Sequence, residues 1–303
     1  MKNYKTVSAF LILFFTTTLI AFSQSNYGLL NAKKVSEIGV KSDERIRLDQ
    51  DKPLPYEYVD ERDILWSKVV WETIDLYQKQ NYRLYYPTNE ENVLANTKSL
   101  FTTLLENIRT GKITEVYEDS QFINKLPVSE IEKKLVRIDT ASYGYDMLNQ
   151  GETNIDEYID KNFIKAQDIQ AYQIKGIWYF NKMSGQMNYR LLAIAPMAPD
   201  VQTIGRDDIV DDAFYPVFWV FYPDARFVLH NSHPTKNGFA AHVESYDYIL
   251  NTRAFSSVIT KEENMFGNRS INEYIRGNSL FQLREAEKIK EEIRNLESDM
   301  WTY

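Results

Sequence analysis

The 303-residue chain contains no cysteine, which removes disulfide staples, thiol nucleophiles and the acylated cysteine of a lipoprotein. Any attachment to a membrane must therefore be made by another protein. Histidine is almost as scarce. All three copies, His230, His233 and His242, fall in one short stretch. The 11 glycines form no phosphate-cradling loop and no G-x-S-x-G elbow. Basic charge is also short, with 35 Lys and Arg against 43 Asp and Glu and a formal net charge of −8. Nucleic acid and anionic lipid are poor partners for such a chain. No internal repeat and no low-complexity tract occurs.

Lys2 and Lys5 precede the apolar run Ala9–Phe15, followed by Leu19–Phe22 and the small residues Ala21 and Ser23. This order reads as a secretory signal peptide over residues 1–23. Thr16, Thr17 and Thr18 break the run, which is too short for a membrane span. Cleavage after Ser23 leaves about 280 residues, enough for one large domain or two lobes around a sizeable core. Without Lys2 and Lys5 the formal charge becomes −10. Aromatics make up 14% of the chain, including 21 Tyr and 5 Trp, types that serve both cores and interface centres.

Residues Gln24–Pro55 are polar, lack sustained periodicity and end in Asp51-Lys52-Pro53-Leu54-Pro55. They read as an extended arm or a solvated tail, with a reach on the order of 100 Å when fully extended. Asp60 is placed to cap a helix running through Tyr77. Apolar side chains cover most of that wheel and leave only Lys68, Glu72 and Asp75 as a polar strip, so the helix is expected to be buried, with Lys68 and Glu72 paired along it. Its Ile64, Trp71 and Ile74 are candidates for meeting a partner.

Further along, Tyr82–Tyr86 reads as a short strand, and Thr88 with Glu91 as a capping box opening a helix. Leu94, Phe101, Leu105 and Ile108 mark its core face, and Gly111 follows its end. Ser129 and Glu132 suggest another cap. Alternation in Tyr172, Ile174, Trp178 and Phe180 gives a strand, Ser184-Gly185 a turn, and Tyr189–Ala195 the return of a hairpin. Val217–Phe221 reads as a buried strand, and helix is expected to resume near Ser245. Ser279 and Gln282 suit a final helix whose seam is Leu283, Ala286, Ile289, Ile293, Leu296 and Met300. The expected class is α+β, with a helical lobe over about 56–150, then a small antiparallel sheet and C-terminal helices over about 151–303.

Chemistry is sparse. His230, His233 and His242 could form a metal site for a hydrolase, but Pro234 disfavours helix at His233 and no H-E-x-x-H is present. Asp207, Asp208, Asp211 and Asp212 form a solvated acidic loop or a patch for a basic partner; they lack the ligand pattern of an EF-hand. Trp178, Tyr189 and Trp301 could serve a glycan-binding surface. No catalytic, cofactor or metal residue is nominated.

Five blocks carry a resemblance. They are Tyr56–Pro87, W-Y-F-N-K at Trp178–Lys182, R-L-L-A-I-A-P at Arg190–Pro196, F-Y-P-D-A-R at Phe221–Arg226, and R-A-F-S-S-V-I-T-K at Arg253–Lys261. In order, and through the last helix to Asp299-Met300-Trp301, the chain resembles the GldN/PorN family of gliding-motility and type IX secretion components; about Gly111 to Asp168 matches weakly. The resemblance implies a non-enzymatic periplasmic subunit at the inner face of the outer membrane. It implies a ring shared with a GldK/PorK-like lipoprotein, engaging the periplasmic part of a GldM/PorM-like motor protein. In F-Y-P-D-A-R, Pro223 is expected to end a strand, Asp224 to bond nearby amides and Arg226 to pair with a carboxylate. The arm, the Ile64/Trp71/Ile74 face and the Leu283–Met300 helix are the expected contact elements.

Overall fold

The computed structural model describes residues 52–88, 98–140, 158–203, 213–234, 244–265 and 267–300. The leader, the arm up to residue 51, Glu91, Leu94, the Asp207–Asp212 cluster, His242 and Trp301 lie outside the described residues. The chain divides into two units, Met1–Asp49 and Gln50–Tyr303, and everything described belongs to the second.

Asp60 does cap, its carboxylate accepting from the Arg62 N–H at 3.0 Å. The structure it opens is a single 3-10 turn, Glu61–Asp63, and not the expected helix. Residues Ile64–Asp75 form a 12-residue strand, β1. Five of its residues are β-branched and two are Trp, a composition that suits a pleated surface. The even apolar spread has a simple cause: Val70, Trp71, Glu72 and Ile74 are all buried because both faces of the sheet are covered here. The supposed polar strip separates accordingly. Lys68 reaches Glu262 at 2.7 Å and Glu292 at 3.4 Å, while Glu72 pairs elsewhere. Trp71 and Ile74 belong to different core clusters and present no surface to a partner.

After a turn at Lys79–Asn81, Tyr82–Tyr85 is a helical turn, α1, and not a strand. A strand would put Tyr82, Leu84 and Tyr86 on one face; the helical turn buries Leu84 while Tyr82 and Tyr86 stay 43% and 46% exposed. Helix α2, Leu100–Arg109, is capped by Ser99, later than the expected cap at Thr88, because Ser99 is itself extended; it buries Phe101, Leu105 and Ile108 as the periodicity predicts. Gly111 follows its end at φ +71°, a conformation glycine adopts without strain. Strand β2 (Val116–Tyr117) leads to α3, Val128–Leu135, whose N-cap is Pro127; Ser129 sits inside its first turn. Strands β3 (Val136–Thr140) and β4 (Ile159–Phe163) form a separate two-stranded ladder.

The expected hairpin is present as β5 (Ala171–Asn181) and β6 (Gln186–Ala198), turning at Gly185 with φ +63°. Then come β7 (Tyr215–Pro216), β8 (Trp219–Phe221), α4 (Tyr222–His230), α5 (Tyr246–Asn251), β9 (Val258–Glu262), α6 (Ile271–Tyr274) and α7 (Ser279–Met300). The main sheet is larger than expected: seven antiparallel strands in the order β2-β8-β6-β5-β1-β9, with β7 also on β6. The N-terminal segment thus supplies an interior strand of this sheet and not a helical lobe.

One large core packs α2, α4 and α5 on Tyr172, Ile174 and Ile194. A second lies under α7, where Ala286, Ile289 and Ile293 meet Val70 and Ile259. The middle of the expected seam, Ala286, Ile289 and Ile293, is therefore spent on its own sheet, while Leu283 is 47% exposed. The N-cap of α7 is Asn278, which accepts from the Phe281 N–H at 3.1 Å, and Ser279 is the first helical residue.

Candidate functional site beneath the C-terminal helix

Helix α5 ends in a Schellman motif. The Ala254 N–H donates to the Ile249 carbonyl at 3.0 Å and the Arg253 N–H to Leu250 at 3.4 Å, which puts Arg253 in the left-handed position that usually holds glycine. Its φ is +53°, a conformation that costs a non-glycine residue on the order of 1 kcal/mol. The return is directional. The turn aims the guanidinium at β1, where its two terminal nitrogens donate to the two carboxylate oxygens of Glu72, 2% exposed. The Ser257 hydroxyl donates to the same carboxylate. Burial tends to lower the Arg253 pKa, and the Glu72 bonds outweigh it, so the group is held above its ordinary value.

Around this pair stand aromatic rings. Arg253 lies 4.2 Å from the Tyr189 ring centre, 5.3 Å from Trp178 and 5.5 Å from Phe255. Tyr189 and Trp178 pack together with centroids 5.0 Å apart. Gly176 makes room for them: a Cβ there would lie 2.1 Å from the Tyr189 hydroxyl oxygen. Burial, then the Glu72 charge, push the Tyr189 hydroxyl above its ordinary pKa. Between these groups and α7 lies a cavity of ≈ 270 Å³, walled by Trp178, Met187, Val258 and Ile293 and floored by Glu72 and Arg253.

A second network sits at α4 and α5. Asp247, 5% exposed, accepts from Arg226 at 3.0 and 3.2 Å, from the Tyr222 hydroxyl at 2.8 Å and from the Asn251 amide at 2.8 Å. The Tyr56 hydroxyl donates to Asn251 at 3.0 Å, and its ring is held between Arg226 and Arg190 at 4.3 and 4.8 Å. Burial, opposed by Arg226, pushes the Tyr56 hydroxyl up to about 12. Arg226 thus pairs with a carboxylate as expected. Asp224 bonds amides far along the chain, those of Thr114 and Glu115, instead of its own turn. Pro223 lies in the first turn of α4.

The five sequence blocks meet in these two places. Tyr56, Glu72, Trp178, Arg190, Tyr222, Arg226, Arg253 and Ser257 each come from one of them. Glu72 and Arg253 face one another, Arg226 pairs with Asp247, which lies outside the blocks, and both oxygens of Glu72 and of Asp247 are engaged by partners within the chain. Such an arrangement locks separate strands and helices together.

The other sequence candidates are placed differently. His230 is the last residue of α4 and His233 follows it, while His242 lies outside the described residues. Among the described residues no three His, Asp or Glu side chains are grouped to hold a metal ion. Trp178 and Tyr189 are half-buried under Arg253 and α7, so they offer no open glycan platform. The Glu72–Arg253 pair escaped the sequence reading; a lone carboxylate inside the run Val69-Val70-Trp71-Glu72-Thr73-Ile74 was its one signal.

The model of the family described as gliding motility associated protein GldN matches residues 59–302. No curated protein matches the chain.

Proposed function

The chain belongs to the GldN family, and from that premise we propose that it is a non-enzymatic structural subunit of the gliding-motility and type IX secretion machinery. It works in the periplasm after removal of residues 1–23, at the inner face of the outer membrane. There it forms a ring with a GldK/PorK-like lipoprotein, which holds it to the membrane. The ring engages the periplasmic part of a GldM/PorM-like motor protein, and the Gln24–Pro55 arm crosses to a neighbouring subunit. Many weak contacts, linked in one ring, gain strength from their number.

The observation that carries this reading is the convergence of the five blocks on two networks in which both carboxylate oxygens of Glu72 and of Asp247 are engaged within the chain. The residues that define the blocks hold the fold's shape, as a subunit that must bear load in a fixed form requires. The test is purification of a tagged chain from solubilised outer membrane, followed by electron microscopy. Rings that contain the chain and a lipoprotein support the proposal; a chain recovered alone from the soluble periplasmic fraction overturns it.

A further inference from the structure

We propose that the exposed Leu54-Pro55 pair of one copy docks on a row of tyrosine rings, Tyr77, Tyr85, Tyr86 and Tyr82, in the next copy of this chain. The inference rests on the assembly reading and adds to it the place where the N-terminal arm enters its neighbour.

The acceptor is built by the turn after β1. Asn81 is fully buried and ties that turn down: its side-chain NH2 donates to the carbonyls of Asp75 and Ser256 at 2.7 and 2.9 Å, and its oxygen accepts from the Ser256 N–H at 2.8 Å. The rings meet in series, Tyr77 with Tyr85 at 6.4 Å between centroids, Tyr85 with Tyr86 at 4.9 Å and Tyr86 with Tyr82 at 5.7 Å. Tyr85 is pinned by its hydroxyl, which donates to the Gln167 carbonyl at 3.2 Å. Yet Tyr77, Tyr82 and Tyr86 are 60%, 43% and 46% exposed. Aromatic rings exposed singly are ordinary, but a contiguous row of them marks a surface made to be covered. An open hollow of ≈ 860 Å³ lies beside the row, walled by Lys79, Tyr82, Arg83, Tyr86 and Phe255.

The tilt of the rings selects the occupant. Neighbouring planes are turned by 50°, 71° and 88° along the row. Rings set at such angles leave grooves between them and offer no flat platform for the face of a sugar. Grooves lined by aromatic rings are what a polyproline II segment fits. Lys52-Pro53-Leu54-Pro55 is such a segment: each proline fixes its own φ and biases the residue before it towards extended backbone, so all four are preset without a partner. Tyr56, bonded to Asn251 at 3.0 Å, fastens its end. Pro53 is half-buried, whereas Pro55 is exposed and Leu54 is 81% exposed.

The occupant is a second copy because one chain carries both halves and leaves both open. Prolines at 53 and 55 stiffen the segment and Tyr56 fixes its direction, and in that direction Leu54 and the tyrosines of its own chain stay uncovered. A groove and a fitting segment at two different places on one chain make a heterologous contact, the kind that repeats head to tail and closes into a ring. Residues 24–51 precede Lys52 and approach the neighbour through these prolines. Asp49 and Asp51, just ahead of them, are opposite in charge to the exposed Lys79 at the lip of the hollow. So small a contact is weak alone and gains strength from repetition around a ring.

The absence of native cysteine makes the test clean. Assemblies purified from cells that make Leu54→Cys and Tyr82→Cys copies together are expected to give disulfide dimers on oxidation, and assemblies of either variant alone to give none. A chain carrying both substitutions is expected to give a head-to-tail ladder; an internal disulfide in a monomer overturns the second copy as occupant. In solution, a labelled peptide of residues 47–58 is expected to bind the mature chain. Tyr82→Ala in the chain, or Leu54→Asp or Pro53→Gly/Pro55→Gly in the peptide, weakens that binding about tenfold. Unchanged melting of Tyr82→Ala confirms its fold, and the peptide variants need no such control. Equal binding by the Pro53→Gly/Pro55→Gly peptide, or binding of an N-acetylglucosamine oligomer where the peptide does not bind, overturns the docking. Rings that persist without a Leu54→Cys to Tyr82→Cys crosslink overturn it while leaving the assembly reading intact. A chain found outside any assembly removes that reading, and the docking with it.

Discussion

Arg253 and Glu72 are 181 positions apart in the chain, yet their guanidinium and carboxylate meet in two hydrogen bonds of 3.0 and 2.6 Å. The pair ties the end of α5 to β1 inside the sheet. It also fixes the floor of the cavity under α7. Neither member can be spared alone, because the other would remain uncompensated, and the Glu72 side chain is only 3% exposed.

Arg253→Ala is accordingly expected to cost about 3–5 kcal/mol, and Glu72→Ala a similar amount. The double variant Glu72→Leu/Arg253→Leu is expected to lose less than the sum of the two. Urea unfolding of the four proteins measures this. A double variant that loses the full sum would mean that the two residues act independently.

Gly176→Ala places a methyl group where the Tyr189 hydroxyl now lies. The expected loss is about 1–3 kcal/mol from overpacking. Adding Tyr189→Leu, which clears the space, should recover part of it. Thermal melting of the single and double variants decides the matter; an unperturbed Gly176→Ala protein would contradict the packing described.

Tyr56 joins the start of the described chain to α4 and α5. Tyr56→Phe removes one hydrogen bond and is expected to cost about 1 kcal/mol. Tyr56→Ala also removes the ring that Arg190 and Arg226 hold, and should expose residues 52–63 to limited proteolysis with the rest of the domain intact. Equal protease resistance in wild type and Tyr56→Ala would rule out the clamp.

These elements differ in how readily the amino-acid sequence discloses them. The β5–β6 hairpin is legible because apolar and polar residue types alternate over Tyr172–Lys175 and Ser184-Gly185 marks the turn. Ser245, Gly111 and the α7 stripe are equally plain, since caps and helical spacing are local signals. Strand β1 is not, because cover on both faces erases the alternation, and Asp60 caps a turn that ends after three residues. The Glu72–Arg253 and Arg226–Asp247 pairs depend on which strands become neighbours. The carboxylate of Arg226 could be expected, but Asp247 could not be named.

The alkaline limb of stability follows from the buried tyrosines. Burial raises the hydroxyl pKa of Tyr172, Tyr222 and Tyr246 above the ordinary value near 10. A group raised in the folded state contributes fully below its unfolded pKa and loses that contribution as pH climbs above it. Stability should therefore hold up to about pH 10 and fall beyond it, with these rings ionising together with unfolding. Absorbance at the phenolate band, followed alongside circular dichroism, checks this; smooth ionisation of every tyrosine in a folded protein would contradict it.

The central claim is that the chain acts by being built in, one copy per place, and not by turnover. Graded depletion in cells, with secretion rate and ring number measured against copies per cell, tests it most directly. The account expects secretion to fall in proportion to the chain and to the rings. Full secretion at about a tenth of the normal copy number, as a catalyst working below saturation could sustain, would contradict it.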